Sequence, residues 1–180
     1  MRITLSGTPG SGKTSVAKSL SRRLKLKHYS IGDLMRKIAK EKNMTLIQLT
    51  RLANKSDEID KELDKAQIDL KKEDNFVIDS RIGFYFIPNS VKIFLDADFD
   101  IRIKRIFGGK RVEETYSDLS QAKKEIKERF DSEQERYRKL YDLDYLDKKN
   151  YDYILDTSKL KVEEATDKII KFIKKDKFLK

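Results

Sequence analysis

Eight residues near the N-terminus, Gly7–Thr14, constrain this chain more than any other stretch, and their sequence is GTPGSGKT. A short apolar, β-prone run at Ile3–Leu5 precedes them. A segment whose apolar residues recur at helical spacing follows over residues 16–24. Strand, glycine-rich loop and helix, in that order, are the context that a phosphate-binding loop requires.

The residue types in this loop match the chemistry of a nucleoside triphosphate site. Glycines let successive backbone N–H groups converge on phosphate oxygens, and the N-terminus of the next helix favours the same anion. Lys13 is placed to reach the β- and γ-phosphates, and the Thr14 hydroxyl to hold Mg²⁺. The sequence therefore predicts bound ATP with Mg²⁺, held by Gly7, Thr8, Pro9, Gly10, Ser11, Gly12, Lys13 and Thr14.

Length and composition restrict the remaining possibilities. The 180 residues suffice for one domain with a proper core, and the absence of cysteine excludes disulfides and thiolate metal sites. The first residues resemble a strand rather than a signal peptide, and no apolar run approaches the length of a membrane span. We expect a cytoplasmic, monomeric protein that does not associate with membranes.

The net charge of +10 suits polyanionic ligands. The 41 lysines and arginines are spread along the whole chain, apart from a basic C-terminal tail. Such a distribution is also typical of a solvated surface. Nucleic acid thus stays open as a partner, although it is not the favoured one.

Strand and helix patterns alternate from end to end. Beyond the first strand and helix, strands are expected at 26–30, 76–79, 91–96 and 153–156. Helices are expected at 33–42, 45–72 with a break at 54–56, 98–107, 118–141 and 162–174, and loops at 80–89 and 110–117. This alternation predicts an α/β fold with a five-stranded parallel sheet and helices on both faces.

In such a sheet, ligands bind beyond the carboxyl ends of the strands. Asp79 ends one apolar strand, where a carboxylate can hold Mg²⁺ through water, although it could instead cap the following loop. Arg36 and Arg81 each follow a strand end and could together clamp a phosphate bidentately. A surface salt bridge is the alternative role for either arginine alone.

Further arginines predict a reaction between two phosphate groups. Arg105 precedes Gly108 and Gly109, while Arg129 and Arg136 lie seven residues apart and so share one helix face. Phosphoryl transfer brings negatively charged phosphate groups together, and the protein's part is to neutralise their charge and align them. We therefore predict Lys13, Arg105, Arg129 and Arg136 as catalytic residues, with Arg105 also binding ATP. On a helix rich in Lys and Glu, however, i,i+4 ion pairs are the usual role of such charges.

Several segments together resemble the nucleoside monophosphate kinases, and within them the archaeal-type cytidylate kinases. GTPGSGKT with Ser30–Arg36 looks like the donor loop and the acceptor-binding turn. Asp79–Gly83 is similar to the family's DGR segment, and residues 105–111 are similar to the start of an adenylate kinase lid. Glu125–Arg136 resembles the cytidylate kinase helix after the lid, in which two arginines and an acid contact the phosphates.

The resemblance implies one P-loop kinase domain over residues 1–180. Its core would comprise 1–30, 74–107 and 118–180, with an acceptor-binding insertion at about 31–73 and a short lid at about 108–117. It also implies a monophosphate site formed by Ser30, Gly32, Arg36, Asp60, Asp64, Arg81, Gly83, Arg129 and Arg136, with Gln67 as a further candidate. Ser80 replaces the family's usual glycine, and Ile31 replaces a small or hydroxyl residue.

The expected activity is transfer of the γ-phosphoryl group of ATP to a pyrimidine nucleoside monophosphate, CMP or dCMP above all. Two alternatives stay open. One is an adenylate kinase-like enzyme, which the start of the lid favours. The other is a nucleotide-dependent RNA-binding or ribosome-assembly factor, which the basic charge favours.

Overall fold

A computed structural model of the chain describes residues 1–109 and 114–175. The elements follow in the order β1 (Arg2–Gly7), α1 (Lys13–Leu24), β2 (Lys27–Ser30), α2 (Ile31–Glu41), α3 (Leu46–Ala53), α4 (Glu58–Asp69), β3 (Phe76–Asp79), α5 (Gly83–Phe86), β4 (Val91–Asp96), α6 (Phe99–Phe107), α7 (Leu119–Tyr141), β5 (Tyr153–Asp156) and α8 (Val162–Lys175). Short 3₁₀ turns lie at Leu70–Lys72 and Lys148–Asn150.

The five strands form one parallel sheet in the order β2-β3-β1-β4-β5. The central strand β1 pairs with β3, where Leu5 lies opposite Asp79, and with β4, where Gly7 lies opposite Leu95. This arrangement confirms the predicted fold. It also brings the phosphate-binding loop after β1 next to the residues that follow β3 and β4.

Alternation along the buried strands supplies a core on each face of the sheet. Ile3 and Leu5 pack with residues of α1 and α8, including Leu20 and Ile169, in one cluster. Phe76 lies on the opposite face, in an aromatic cluster against which the end of α7 packs. Parallel strands covered on both faces are near-continuously apolar, as these are.

Helices α2, α3 and α4 share a separate apolar cluster beside the sheet, which includes Met35, Leu49 and Leu63. A capping box begins α3, because the Thr45 side chain accepts from the Gln48 N–H while the Gln48 side chain accepts from the Thr45 N–H. The predicted helical block at 45–72 is thus two helices and a 3₁₀ turn, separated at residues 54–57.

The structure differs from the sequence prediction in one loop. Residues 83–86 of the predicted 80–89 loop form the short helix α5. Its Phe84 and Phe86 belong to the aromatic cluster, so burial of these rings favours a turn of helix over an extended loop. The predicted 110–117 loop lies partly outside the described residues. Across 1–109 and 114–175, none of the helices combines the length and apolar character that crossing a bilayer requires.

Candidate active site

A cavity of about 560 Å³ opens at the carboxyl ends of the strands, between the phosphate-binding loop and helix α7. Its wall includes the loop residues 9–16, the start of α2, the residues after β3 and the inner face of α7. A crevice in this position is where an open parallel sheet binds its ligands.

The phosphate-binding loop has three glycines with positive φ, Gly7, Gly10 and Gly12, of which the last two shape its turn. Gly12, at φ 88°, caps helix α1, and Gly10, at φ 80°, would place a Cβ only 2.6 Å from the Arg102 carbonyl oxygen. Residues other than glycine rarely adopt this backbone, and at Gly10 there is also no room for a side chain.

Lys13 lies folded against its own loop. Its Nζ donates to the Gly7 carbonyl at 2.8 Å and to the Thr8 carbonyl at 2.7 Å. Burial, together with the nearby Arg81 guanidinium, holds the pKa of Lys13 well below its usual value. An anion in the cavity would therefore be a favourable partner for this ammonium group.

Asp79, at the end of β3, is buried and accepts hydrogen bonds on both carboxylate oxygens. Oδ1 accepts from the Thr14 hydroxyl at 3.2 Å and from the Ser30 hydroxyl at 2.8 Å, and Oδ2 lies 3.0 Å from His28 Nε2. Donors from β2 and α1 thus fix the carboxylate beside the Thr14 hydroxyl.

The Thr14 hydroxyl and the Asp79 carboxylate fit a Mg²⁺ ion that is bound only in part by the protein. No group of three or more His, Cys, Asp or Glu that could hold a metal occurs across 1–109 and 114–175. Mg²⁺ is commonly held by one or two protein oxygens, water and the phosphates of a substrate rather than by an all-protein cage. Thr14 and Asp79 supply such a partial set of oxygen ligands.

A buried carboxylate, Glu133 of α7, joins two arginines. Its Oε2 lies 2.7 Å from Arg81 Nε, and its Oε1 lies 3.0 Å from Arg129 Nε. Burial alone would raise the pKa of Glu133, but the two guanidinium groups lower it to about 2. Arg81 also donates to the Gly7 carbonyl at 3.2 Å, so it links α7 to the phosphate-binding loop.

A second buried carboxylate, Glu114, lies between two arginines. Its Oε1 is 3.2 Å from Arg129 Nη1 and 3.5 Å from Arg36 Nη1. Arg36 is held from its other side by Asp33, at 2.5 Å from Nη2. Arg36 and Arg129, predicted independently, are therefore neighbours across the cavity.

Arg136 has a different setting, although it also reaches the cavity wall. Its Nε lies 3.0 Å from Asp60 Oδ2, and its Nη1 donates to Asn54 Oδ1 and to the Ser132 hydroxyl, each at 3.1 Å. These contacts tie α7 to α3 and α4. Most of the guanidinium donors are thus directed to the protein.

Arg105 reaches the loop after β5. It donates to the Thr157 hydroxyl at 3.1 Å and to the Thr157 carbonyl at 2.7 Å, and that hydroxyl in turn donates to the Ser11 carbonyl and lies 2.9 Å from the Asp96 carbonyl oxygen. Arg105 therefore lies at the phosphate-binding-loop end of the cavity.

The structure brings most predicted site residues together around one cavity. Those on its wall are Pro9, Gly10, Ser11, Gly12, Lys13, Thr14, Gly32, Arg36, Asp79, Arg81, Arg105, Arg129 and Arg136. Those set behind or away from it are Gly7, Thr8, Ser30, Asp60, Asp64 and Gly83. Of the latter, Asp64 accepts from the Tyr141 hydroxyl at 2.7 Å, and Gly83 packs against Ser80. The roles of both groups stay predictions.

Sequence reasoning missed Glu114 and Tyr137, which both line the cavity. Its place three residues after Arg111 in the sequence was the only signal for Glu114. Tyr137 follows Arg136 on α7, and its pKa lies well above the usual value because burial and the Glu133 carboxylate disfavour the phenolate. Gln67, a candidate from the resemblance, accepts from the Ser80 hydroxyl at 2.6 Å behind the cavity.

Comparison with known proteins gives matches over most of the chain. Residues 2–159 match the model of the cytidylate kinase-like family. The cytidylate kinase of Sulfolobus acidocaldarius is 38% identical over 94% of this chain and 92% of its own length. That of Methanosphaera stadtmanae is 35% identical over 98% of this chain and 100% of its own.

Solved structures agree at the level of the fold. Shikimate kinase from Bacteroides thetaiotaomicron superposes with a TM-score of 0.66 over 97% of this chain and 98% of that one, at 15% identity. Shikimate kinase from Aquifex aeolicus does so with a TM-score of 0.60 over 98% of each chain, at 22% identity. At these identities the likeness concerns the chain path alone.

Proposed function

This chain belongs to the cytidylate kinase-like family, and we propose that it transfers the γ-phosphoryl group of ATP to a pyrimidine nucleoside monophosphate, CMP or dCMP above all. The family assignment favours this reaction over the adenylate kinase-like alternative. The fold alone would not decide between them, because P-loop kinases of different substrates share it.

One observation supports the proposal most directly. A single cavity is lined both by the phosphate-binding loop and by three arginines from three different segments, Arg36, Arg81 and Arg129. A hydrolase of nucleoside triphosphates can act with a single arginine beside its loop and does not need cations for a second phosphate-bearing substrate. An enzyme that brings two phosphate groups together does, because both carry negative charge.

In the proposed reaction the loop binds the donor. Backbone N–H groups of residues 9–14 and the N-terminus of α1 hold the β- and γ-phosphates, and the Lys13 ammonium leaves the Gly7 and Thr8 carbonyls to join them. Arg105, which donates to the Thr157 carbonyl, lies at the phosphate-binding-loop end of the cavity. Mg²⁺, held through Thr14 and Asp79, supplies neutralisation of phosphate charge when bound.

The arginines bind and align the acceptor. A phosphate oxygen of the monophosphate attacks the γ-phosphorus while the bond from that phosphorus to the β–γ bridging oxygen breaks, which leaves ADP and a nucleoside diphosphate. The acceptor is already anionic, so no general base is needed. Arg81 holds the acceptor phosphate together with Arg36, and Arg129 bridges it to the transferring group and stabilises the charge there. Glu133 fixes both Arg81 and Arg129.

Arg136 and the α2–α4 helices are proposed to shape the acceptor end. Arg136 shares the cavity wall with Met35 and Leu63, which provide apolar surface for a base. Asp60 holds Arg136 from behind, at 3.0 Å. We propose that Asp60 acts on the acceptor through Arg136, rather than by contact.

A phosphoryl-transfer assay tests the proposal. Production of ADP from ATP and Mg²⁺ is measured with CMP, dCMP, UMP or AMP as acceptor and with none. We expect the highest kcat/KM for CMP or dCMP and little ADP without acceptor. AMP as the best acceptor, or equal ADP release without acceptor, would overturn the proposal. A filter-binding measurement with single-stranded RNA in parallel tests the nucleic-acid alternative, which predicts steeply salt-dependent binding.

A further inference from the structure

We propose that the Glu114 carboxylate occupies, in the substrate-free enzyme, the place that the acceptor's phosphate takes between Arg36 and Arg129, and that it thereby sets the affinity for the acceptor. The inference rests on the proposed function, since it assigns the acceptor phosphate to these two arginines. It concerns a residue that sequence reasoning did not select.

The geometry at Glu114 is that of an anion site already filled by the protein. One oxygen, Oε1, bridges Arg129 Nη1 at 3.2 Å and Arg36 Nη1 at 3.5 Å. All three side chains are largely buried, with 3% of the Glu114 side chain, 13% of that of Arg129 and 12% of that of Arg36 exposed. All three also line the cavity.

Electrostatics explain why an anion is needed there in the absence of substrate. Two guanidinium groups that approach one oxygen repel each other, and burial strengthens that repulsion. A carboxylate between the two guanidinium groups offsets this repulsion. A phosphate dianion, with more charge and more acceptor oxygens, would do so more effectively and would displace the carboxylate.

Displacement makes Glu114 and the acceptor competitors. Whatever free energy the carboxylate contributes to the empty site is subtracted from acceptor binding, because both cannot hold the same donors. An acceptor without a phosphate has nothing to exchange for the carboxylate. Glu114 would therefore weaken the binding of phosphorylated acceptors and leave that of nucleosides unchanged.

The two arginines keep other partners when Glu114 is changed. Asp33 lies 2.5 Å from Arg36 Nη2, and Glu133 lies 3.0 Å from Arg129 Nε. Replacement of the carboxylate by an amide should thus leave both guanidinium groups close to their present positions. A matched control is Glu128→Gln, because Glu128 is a carboxylate of α7 that pairs with exposed Arg51 outside the cavity.

The experiment measures ligand binding by calorimetry to the full-length protein and to Glu114→Gln, Glu114→Asp and Glu128→Gln. The ligands are CMP, cytidine and inorganic phosphate. We expect Glu114→Gln to bind CMP and inorganic phosphate about tenfold more tightly, within the usual range of coupling between two ligands. Cytidine binding should not change. In the assay, KM for CMP should fall while kcat does not rise, and Glu128→Gln should match the parent.

Unchanged or weaker binding of CMP and phosphate by Glu114→Gln would overturn the inference. If that variant does not fold, Glu114→Asp decides, because a carboxylate one methylene shorter competes less well and should also bind CMP more tightly. Failure of the proposed function is recognised separately. The parent would then not phosphorylate CMP, whereas inorganic phosphate would still report the competition by Glu114.

Discussion

Arg136 Nε lies 3.0 Å from Asp60 Oδ2, and this buried ion pair joins the long helix α7 to helix α4. Burial raises the pKa of the Asp60 carboxyl above its usual value, although the Arg136 guanidinium opposes that effect. Removing two charges from water is costly, so such a pair stabilises a fold less by its attraction than by the cost of leaving either partner alone.

Replacing only one partner of this pair should therefore destabilise the fold more than replacing both. We expect Asp60→Leu and Arg136→Met each to lower the free energy of unfolding by about 3 kcal/mol, since each leaves a buried charge unpaired. The double variant Asp60→Leu/Arg136→Met should lose much less free energy of unfolding than the two single variants lose together. Urea unfolding measures all three, with Glu58→Ala, an exposed acid of α4, as the control. Additive losses would contradict this account.

Much of the fold could be predicted because the strands carry their own signal. Val77, Ile93 and Leu95 lie in short β-branched or apolar runs, and such runs between helical segments indicate buried parallel strands. The helix at 83–86 could not be predicted in this way. It depends on burial of Phe84 and Phe86 against the aromatic cluster, which is a tertiary effect.

The site was predictable where position in the chain implies position in space. Arg36 and Arg81 follow strand ends, so a parallel sheet brings them to one edge. The role of each acid was not predictable. Glu133 meets Arg81, and Glu114 meets Arg36, each from a distant segment, and only the packed structure shows that both acids also share Arg129.

Arg81 provides a direct test of acceptor binding. We expect Arg81→Ala to raise KM for CMP by about tenfold or more with a smaller effect on KM for ATP, because a charge-assisted contact to the acceptor phosphate is lost. Arg81→Lys should reverse only part of the rise in KM for CMP, since an ammonium group cannot bind a phosphate bidentately. Steady-state kinetics with each substrate varied in turn gives both constants. Arg138→Ala, which removes an exposed arginine paired with Asp144, is the control. An unchanged KM for CMP would exclude this role of Arg81.

Glu133 should make stability depend on pH. Its folded-state pKa of about 2 lies below the value of about 4.3 expected in the unfolded chain. The carboxylate thus contributes stability that is fully present above about pH 5 and is lost as the pH falls towards 2. We expect Glu133→Gln to be less stable than the parent by about 3 kcal/mol at pH 7, with a difference that shrinks on acidification.

Urea unfolding at several pH values between 7 and 2 measures that difference. Glu135→Gln, an exposed acid two residues along the same helix, corrects for the general effect of removing a carboxylate. A gap between the parent and Glu133→Gln that stayed constant across this range would show that the carboxylate does not titrate in the way proposed.

Asp79 should set the magnesium requirement. With Thr14 it forms the oxygen pair proposed for Mg²⁺, and loss of such a partner usually weakens metal binding about 10- to 100-fold. We expect Asp79→Asn to raise the Mg²⁺ concentration for half-maximal activity by about that factor at saturating ATP and CMP. His28→Ala separates this from a packing effect, because it removes a hydrogen-bond partner of Asp79 but leaves the carboxylate. Its Mg²⁺ requirement should stay close to that of the parent. Equal increases in the two variants would mean that Asp79 organises the loop and does not bind the metal.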